Sequence, residues 1–203
     1  MSILDKVVAA VTPPENEQKR QAARAKARAA ATADDWLAMV LDHHEQIEEA
    51  FGSVSLATDA DSRTDALQRL AVLLTGHSNA EESVIYPALL RAGHKTHAMA
   101  GYTEQAGAKA NMGELEYLDP MSQDFIDKLD HVRGAVEHHM YEEEKDRFLD
   151  LRQLPQADQV RLTARFREEF ERYMSGDAAL QSAGRSGAGE PLRPQPGTTT
   201  WHA

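Results

Sequence analysis

The stretch LLTGHSNAEESVIYP, residues 73–87, decides how the rest of the chain is read. Together with the residues before it, it places Leu67, Leu70, Leu74, His77, Glu81 and Ile85 at intervals of three and four. That spacing is one face of an α-helix. The face is apolar at both ends and polar in the middle. A histidine and a glutamate on an inward face are costly unless something satisfies them. Pro87 is expected to kink or end this helix.

The same interruption recurs on two other helices. Trp36, Leu37, Val40, Leu41, His44, Ile47, Phe51 and Val54 mark one face of an earlier helix, and Phe125, Leu129, Val132, Val136, His139, Glu143 and Phe148 one face of a later helix. Between them the spacing predicts a helix over 95–117, stopped at Asp119-Pro120, and the later helix is expected over 121–151. Asp61 or Ser62 is the expected N-cap of the helix that carries His77. Pro155 opens a shorter helix with Val160, Leu162, Phe166, Phe170 and Tyr173. No strand-like alternation competes. Four long helices with short connections predict an all-α, up-down four-helix bundle with flanking N-terminal and C-terminal helices.

Three compositional zones bound that bundle. Residues 1–32 form a basic, Ala-rich leader, with Lys19, Arg20, Arg24, Lys26 and Arg28 against Glu17. Ala, Arg and Lys favour a helix, but without an apolar stripe it should dock weakly or stay solvated, or pair with acidic surface elsewhere on the chain. Residues 33–175 hold nearly all the periodic apolar signal. Residues 176–203 are rich in Gly, Ser, Pro and Thr, and are expected to be disordered.

Composition excludes several chemistries. The 203 residues contain no cysteine, so disulfides, thiolate metal sites and cysteine nucleophiles are out. A net charge of −11 makes a poor nucleic-acid binder. No apolar run reaches the ~20 residues that span a bilayer, and the N-terminus lacks a secretory pattern. A cytoplasmic protein without membrane or nucleic-acid partners is the expectation, and no protein partner is indicated. There is no P-loop, dinucleotide-binding glycine pattern or serine elbow.

Chemistry concentrates in the histidines. Eight of nine lie between His43 and His139. His44, His77, His138 and His139 each precede a glutamate by four residues, where composition alone would give fewer than one such pair. Residues i and i+4 share a helix face, so an imidazole and a carboxylate can reach one cation, or two with the carboxylate between them. Such a donor set suits iron, manganese or zinc better than magnesium or calcium. The reversed order and wider spacing separate it from the Glu-x-x-His pattern of ferritin-like bundles.

Three segments carry a family resemblance: DHHEQIEEAF (42–51), HSNAEESVIYP (77–87) and HHMYEEEKDRF (138–148). Together, over about residues 34–151, the chain resembles the hemerythrin-like, HHE cation-binding family. The resemblance implies a four-helix bundle around a non-haem di-iron centre that binds dioxygen or responds to oxygen, peroxide, nitric oxide or iron status. It implies His44, His77, Glu81, His139 and Glu143 as metal ligands, with His43, and His138 with Glu142, as shifted alternatives. Glu82 and Glu144 would lie just outside, and His131 is read as outer packing.

The helix over 95–117 departs from the family pattern. Gln105 stands where a further histidine is expected. Tyr102, one turn earlier, is the candidate phenolate replacement; Glu104, His97 and His94 are the other candidates. The functional expectation is a di-iron protein that binds or reacts with dioxygen or peroxide. The alternative is an iron, oxygen or nitric oxide sensor that signals through its tails.

Overall fold

In a computed structural model, the chain is described over residues 15–187, with side chains to residue 176. Every regular element among the described residues is helical. Helix α1 is Glu17–Ala30, α2 is Trp36–Leu56 and α3 is Ala60–Ala80. A π-helical turn, Glu81–Ile85, joins α3 to α4, Tyr86–Arg91. Helix α5 is Lys95–Leu115 and α6 is Gln123–Glu142. A second π-helical turn, Glu143–Arg147, joins α6 to α7, Phe148–Leu151, and α8 runs Gln156–Gly187. The bundle is α2, α3–α4, α5 and α6–α7. Helix α1 lies across α2 and the second π turn, and α8 covers α2 and α3. No described helix is long and apolar enough to cross a membrane.

Local sequence explains most boundaries. Asp35, Asp59 and Ser122 cap α2, α3 and α6, each accepting from the backbone N–H three residues on. The cap of α3 is therefore Asp59, two or three residues before the expected Asp61 or Ser62; Asp61 falls in the first turn, where its charge meets the positive helix end. Pro87 does not end its helix. It is the second residue of α4, directly after the π turn, where the irregular ladder tolerates a missing N–H. The expected single helix over 121–151 is broken by the second π turn. Helix α8 continues past residue 175 to Gly187; residues 188–203, the rest of the expected tail, lie outside the described residues, as do residues 1–14 of the leader.

Helix α1 docks by charge. Its small face buries Ala23 and Ala27, and its arginines meet acidic side chains of the bundle. Arg20 Nη1 is 2.7 Å from Glu137, Arg24 Nη1 is 2.7 Å from Glu48, and Arg28 Nη2 is 2.9 Å from Glu45. It is thus not a solvated arm, and the acidic surface that receives it is the chain's own.

The core divides into two apolar clusters. One joins Trp36, Leu37, Val40, Leu41, Ile85, Leu89, Phe148 and Phe166. The other joins Ile47, Phe51, Leu67, Leu70, Leu74, Phe125, Leu129 and Val136. The inward histidines fall at the seam: His44 between Leu41 and Ile47, His77 between Leu74 and Ala80, His139 between Val136 and Phe148. A polar layer thus crosses the bundle where its two halves meet.

At the far end from that seam, buried Arg63 ties three segments. Its guanidinium donates to Val54 O at 3.2 Å, Pro120 O at 2.8 Å and Ala57 O at 2.5 Å. Arg63→Ala leaves carbonyls without a donor and is expected to cost about 2–3 kcal/mol. Chemical denaturation checks this. Metal content of the variant should match the parent, because Arg63 touches only the distal corner; an unchanged midpoint would contradict the role.

Candidate metal centre

Four residues from four segments converge in the polar layer: His44 of α2, His77 of α3, and Glu81 and Glu143, which open the two π turns. One ligating atom from each lies within 4.8 Å of all the others. His77 Nε2 is 3.3 Å from Glu81 Oε2, and His44 Nε2 is 3.6 Å from Glu143 Oε2. His139 Nε2 closes the ring, 3.3 Å from Glu143 Oε1. Both glutamates are fully buried.

Each π turn has the same sequence logic. A histidine is followed after four residues by the glutamate and after five more by an aromatic: His77, Glu81, Tyr86 and His139, Glu143, Phe148. On an α-helix, positions five apart diverge by about 140°. The wider π turn returns them to one face, a device frequent at functional sites. Tyr86 thereby reaches over Glu81. Its hydroxyl donates to Glu143 Oε1 at 2.9 Å and lies 3.2 Å from His139 Nε2. Phe148, its counterpart, stacks against His44 with ring centroids 6.2 Å apart.

Outer groups orient two of the imidazoles. His44 Nδ1 is 2.8 Å from Glu144, which Arg24 of α1 holds at 3.0 Å. His139 Nδ1 is 2.7 Å from Glu104, which Arg147 holds through both oxygens at 2.7 and 2.9 Å. Each chain runs arginine, carboxylate, imidazole, and fixes which ring nitrogen faces inward. Burial would raise the Glu104 carboxyl, but hydrogen bonds from Arg147 and His139 prevail and hold it at about 2.

The inner groups behave differently. Burial pushes Glu81 and Glu143 up to about 8, and burial holds the imidazoles of His44 and His77 well below their usual range. Two carboxylates cannot both keep their charge in so dry a space without a cation. Hydrogen bonds tell the same story. His44 Nε2, both nitrogens of His77, Glu81 Oε1, Glu143 Oε2 and Gln105 Oε1 are buried without hydrogen-bond partners. Natural cores leave few such atoms. Imidazole nitrogens and carboxylate oxygens grouped this closely fit a cation of the iron, manganese or zinc type.

A family model, the hemerythrin HHE cation binding domain, matches residues 35–149. The chain belongs to the hemerythrin HHE cation-binding family. A crystal structure of a hemerythrin HHE cation binding domain-containing protein from Mycobacterium kansasii superposes with a TM-score of 0.65 at 20% identity, covering 75% of this chain and 95% of that one. That likeness establishes a shared hemerythrin-like helical bundle. No curated protein matches the chain.

Within this HHE domain, the structure brings together five of the six candidate site residues, His44, His77, Glu81, His139 and Glu143. It does not bring Tyr102. The Tyr102 hydroxyl donates to the backbone carbonyl of Glu82 at 2.9 Å. The cause is Pro87. In the π turn, Tyr86 N–H bonds to Glu81 O, and the next donor along the ladder would be residue 87, which has none. Tyr102 satisfies the carbonyl left over. The phenol inside the cluster is Tyr86, whose ring packs edge-on to Tyr102 at 5.0 Å. Gly101 makes room for it, since a Cβ there would lie 2.7 Å from Tyr86 Cζ.

The remaining candidate residues also find separate places. Gln105 keeps the inward position, and its Nε2 donates to Glu81 Oε2 at 2.6 Å. Glu104 is behind His139. His94 and His97 face Asp150 instead of the bundle centre. His43 stacks on Phe170 at 4.0 Å, His131 and His138 lie outside the cluster, and Glu142 contacts Lys145 at 3.3 Å. Tyr86 is the residue that helical periodicity misses, although the aromatic-Pro step is visible in the sequence.

Tyr102→Phe should leave the Glu82 carbonyl with no donor. The expected loss is about 1–2 kcal/mol of stability, read by thermal unfolding, with metal content and any metal-dependent absorption unchanged. Loss of a visible band in this variant would return Tyr102 to the centre.

Proposed function

We propose that the polar layer holds a non-haem di-iron centre that binds or reacts with dioxygen or peroxide. The observation that carries the reading is the set of unpartnered buried donor atoms on His44, His77, Glu81 and Glu143. His44, His77, Glu81, His139 and Glu143 would hold the metal. Tyr86 and Gln105 occupy the side where the family pattern expects a further histidine.

Iron held there would supply electrons and Lewis acidity toward a small oxidant. The chain's own groups define what such an oxidant would meet. The Tyr86 hydroxyl keeps its proton, because burial and the neighbouring Glu143 push its ionisation well above the usual range. It therefore serves as a hydrogen-bond donor inside the cluster. Gln105 donates to Glu81 and fixes that carboxylate's free oxygen toward the interior. Leu41, Ile85 and Phe148, all fully buried, keep bulk water away.

The test is metal content and absorption of anaerobically iron-reconstituted protein, before and after air or hydrogen peroxide. The expected result is two irons per chain and a new near-ultraviolet or visible band on oxidation. His77→Ala and Glu143→Ala should lose iron, while Glu142→Ala should keep it. A single zinc, or iron retained by both site variants, would overturn the proposal.

A second reading, an iron or oxygen sensor, has one observation in its favour. Helix α1 reaches the centre through Arg24, Glu144 and His44. A change at the centre would then alter how α1 is held. Protease cleavage within α1 is expected to be faster for apo-protein than for iron-loaded protein, and Arg24→Ala should erase the difference. Equal cleavage of both forms in the parent would end this reading.

A further inference from the structure

The centre leaves two histidines at the start of α5 unexplained. Gly93 turns the chain sharply after α4 with φ of +91°, a conformation glycine adopts without strain. His94 then caps α5, with its N–H bonded to Leu89 O at 2.9 Å. His97 follows three residues on, so both imidazoles project from the first turn of the helix. Their rings lie nearly parallel, at 17° with centroids 5.9 Å apart. Opposite them stands Asp150 of the short helix α7.

Both imidazoles aim the same atom at one oxygen. His94 Nδ1 and His97 Nδ1 are each 3.1 Å from Asp150 Oδ2. One ligating atom from each of the three residues lies within 4.8 Å of the other two. His97 Nδ1 is shielded from solvent and makes no hydrogen bond there. Donors held at 2.0–2.1 Å around a tetrahedral cation are about 3.3 Å apart, close to the 3.1 Å that separates each imidazole from the carboxylate.

We propose that His94, His97 and Asp150 form a second metal site, which takes one divalent transition cation of the zinc type. Two imidazole nitrogens and one carboxylate oxygen suit zinc, nickel or copper, and disfavour magnesium and calcium. The site is separate from the buried centre. Gln105 is eight residues past His97, which is about 12 Å along the helix. The side chains are about a third exposed, at 35, 38 and 34%, so water can complete the coordination and the ion can exchange. The ion would fasten the start of α5 to α7.

The probe is Zn²⁺ alone, titrated by calorimetry into iron-loaded full-length protein, with iron counted before and after. The parent should take up one zinc per chain without losing iron, and its melting temperature should rise with zinc. Asp150→Asn should weaken binding roughly tenfold or more, and the His94→Asn/His97→Asn double variant should abolish it. All three proteins should hold the same iron. Absence of zinc binding, an identical isotherm in the double variant, or zinc uptake matched by iron release would each overturn the proposal. Failure to hold iron in the first place bears on the buried centre instead, and the zinc titration can still be read on that protein through the variants.

Discussion

Two carboxylates buried side by side impose the arrangement of everything around them. Glu81 and Glu143 have no solvent, and an ionised carboxylate in such a place is strongly disfavoured unless a positive charge faces it. Among the described residues, no arginine or lysine pairs with their inner oxygens. The fold places imidazoles there, those of His44 and His77 held well below their usual range by burial, and keeps the arginines one step back. Arg24 and Arg147 neutralise Glu144 and Glu104, which in turn hold the outer nitrogens of His44 and His139. This keeps inward lone pairs available while satisfying the outward ones. A core built for stability alone would have used apolar residues in this layer, at no cost in orphaned donors. The layer is explained by a cation, and membership of a cation-binding family agrees with it.

The π turns are the backbone's answer to the same constraint. Each helix must present a histidine, a glutamate and then an aromatic to one interior. Regular α-helical geometry can serve the first two, four residues apart, but not the third. One wide turn at each glutamate resolves the conflict. It also explains why Pro87 is tolerated. The residue falls where the ladder is already irregular, and the carbonyl it strands is taken by Tyr102. Tyr102, a candidate ligand by sequence, therefore supports the turn that delivers the glutamate.

Much of this was legible in the sequence, and the reasons for the rest are physical. Helix faces repeat with a fixed period, so His44, His77 and His139 could be placed inside from their apolar neighbours. The His-to-Glu spacing of four stays on one face, so Glu81 and Glu143 followed. A π turn leaves no periodic signature in a few residues, so Tyr86 was not placed in the cluster. Which imidazole each outer carboxylate serves is hidden for another reason. Glu144 meets His44, and Glu104 meets His139, across separations of 100 and 35 residues, which no local pattern encodes. Composition leaves α1 open between a solvated helix and one paired with the chain's own acidic surface. It cannot choose, because the acidic partners Glu45, Glu48 and Glu137 lie on other helices.

The two π turns are near repeats, but their aromatics differ, and this makes the centre asymmetric. On one flank Phe148 covers His44 and contributes no polar atom. On the other, Tyr86 brings a hydroxyl into contact with Glu143 and His139, and Gln105 brings an amide to Glu81. One flank thus offers two imidazoles against an apolar wall. The other offers a single imidazole beside a phenol and an amide, both able to donate protons in hydrogen bonds. A cation held by Glu81 and Glu143 would meet unlike surroundings, with hydrogen-bond donors from Tyr86 and Gln105 on one flank and the apolar ring of Phe148 on the other. The asymmetry of the centre thus lies in the difference between residues 86 and 148.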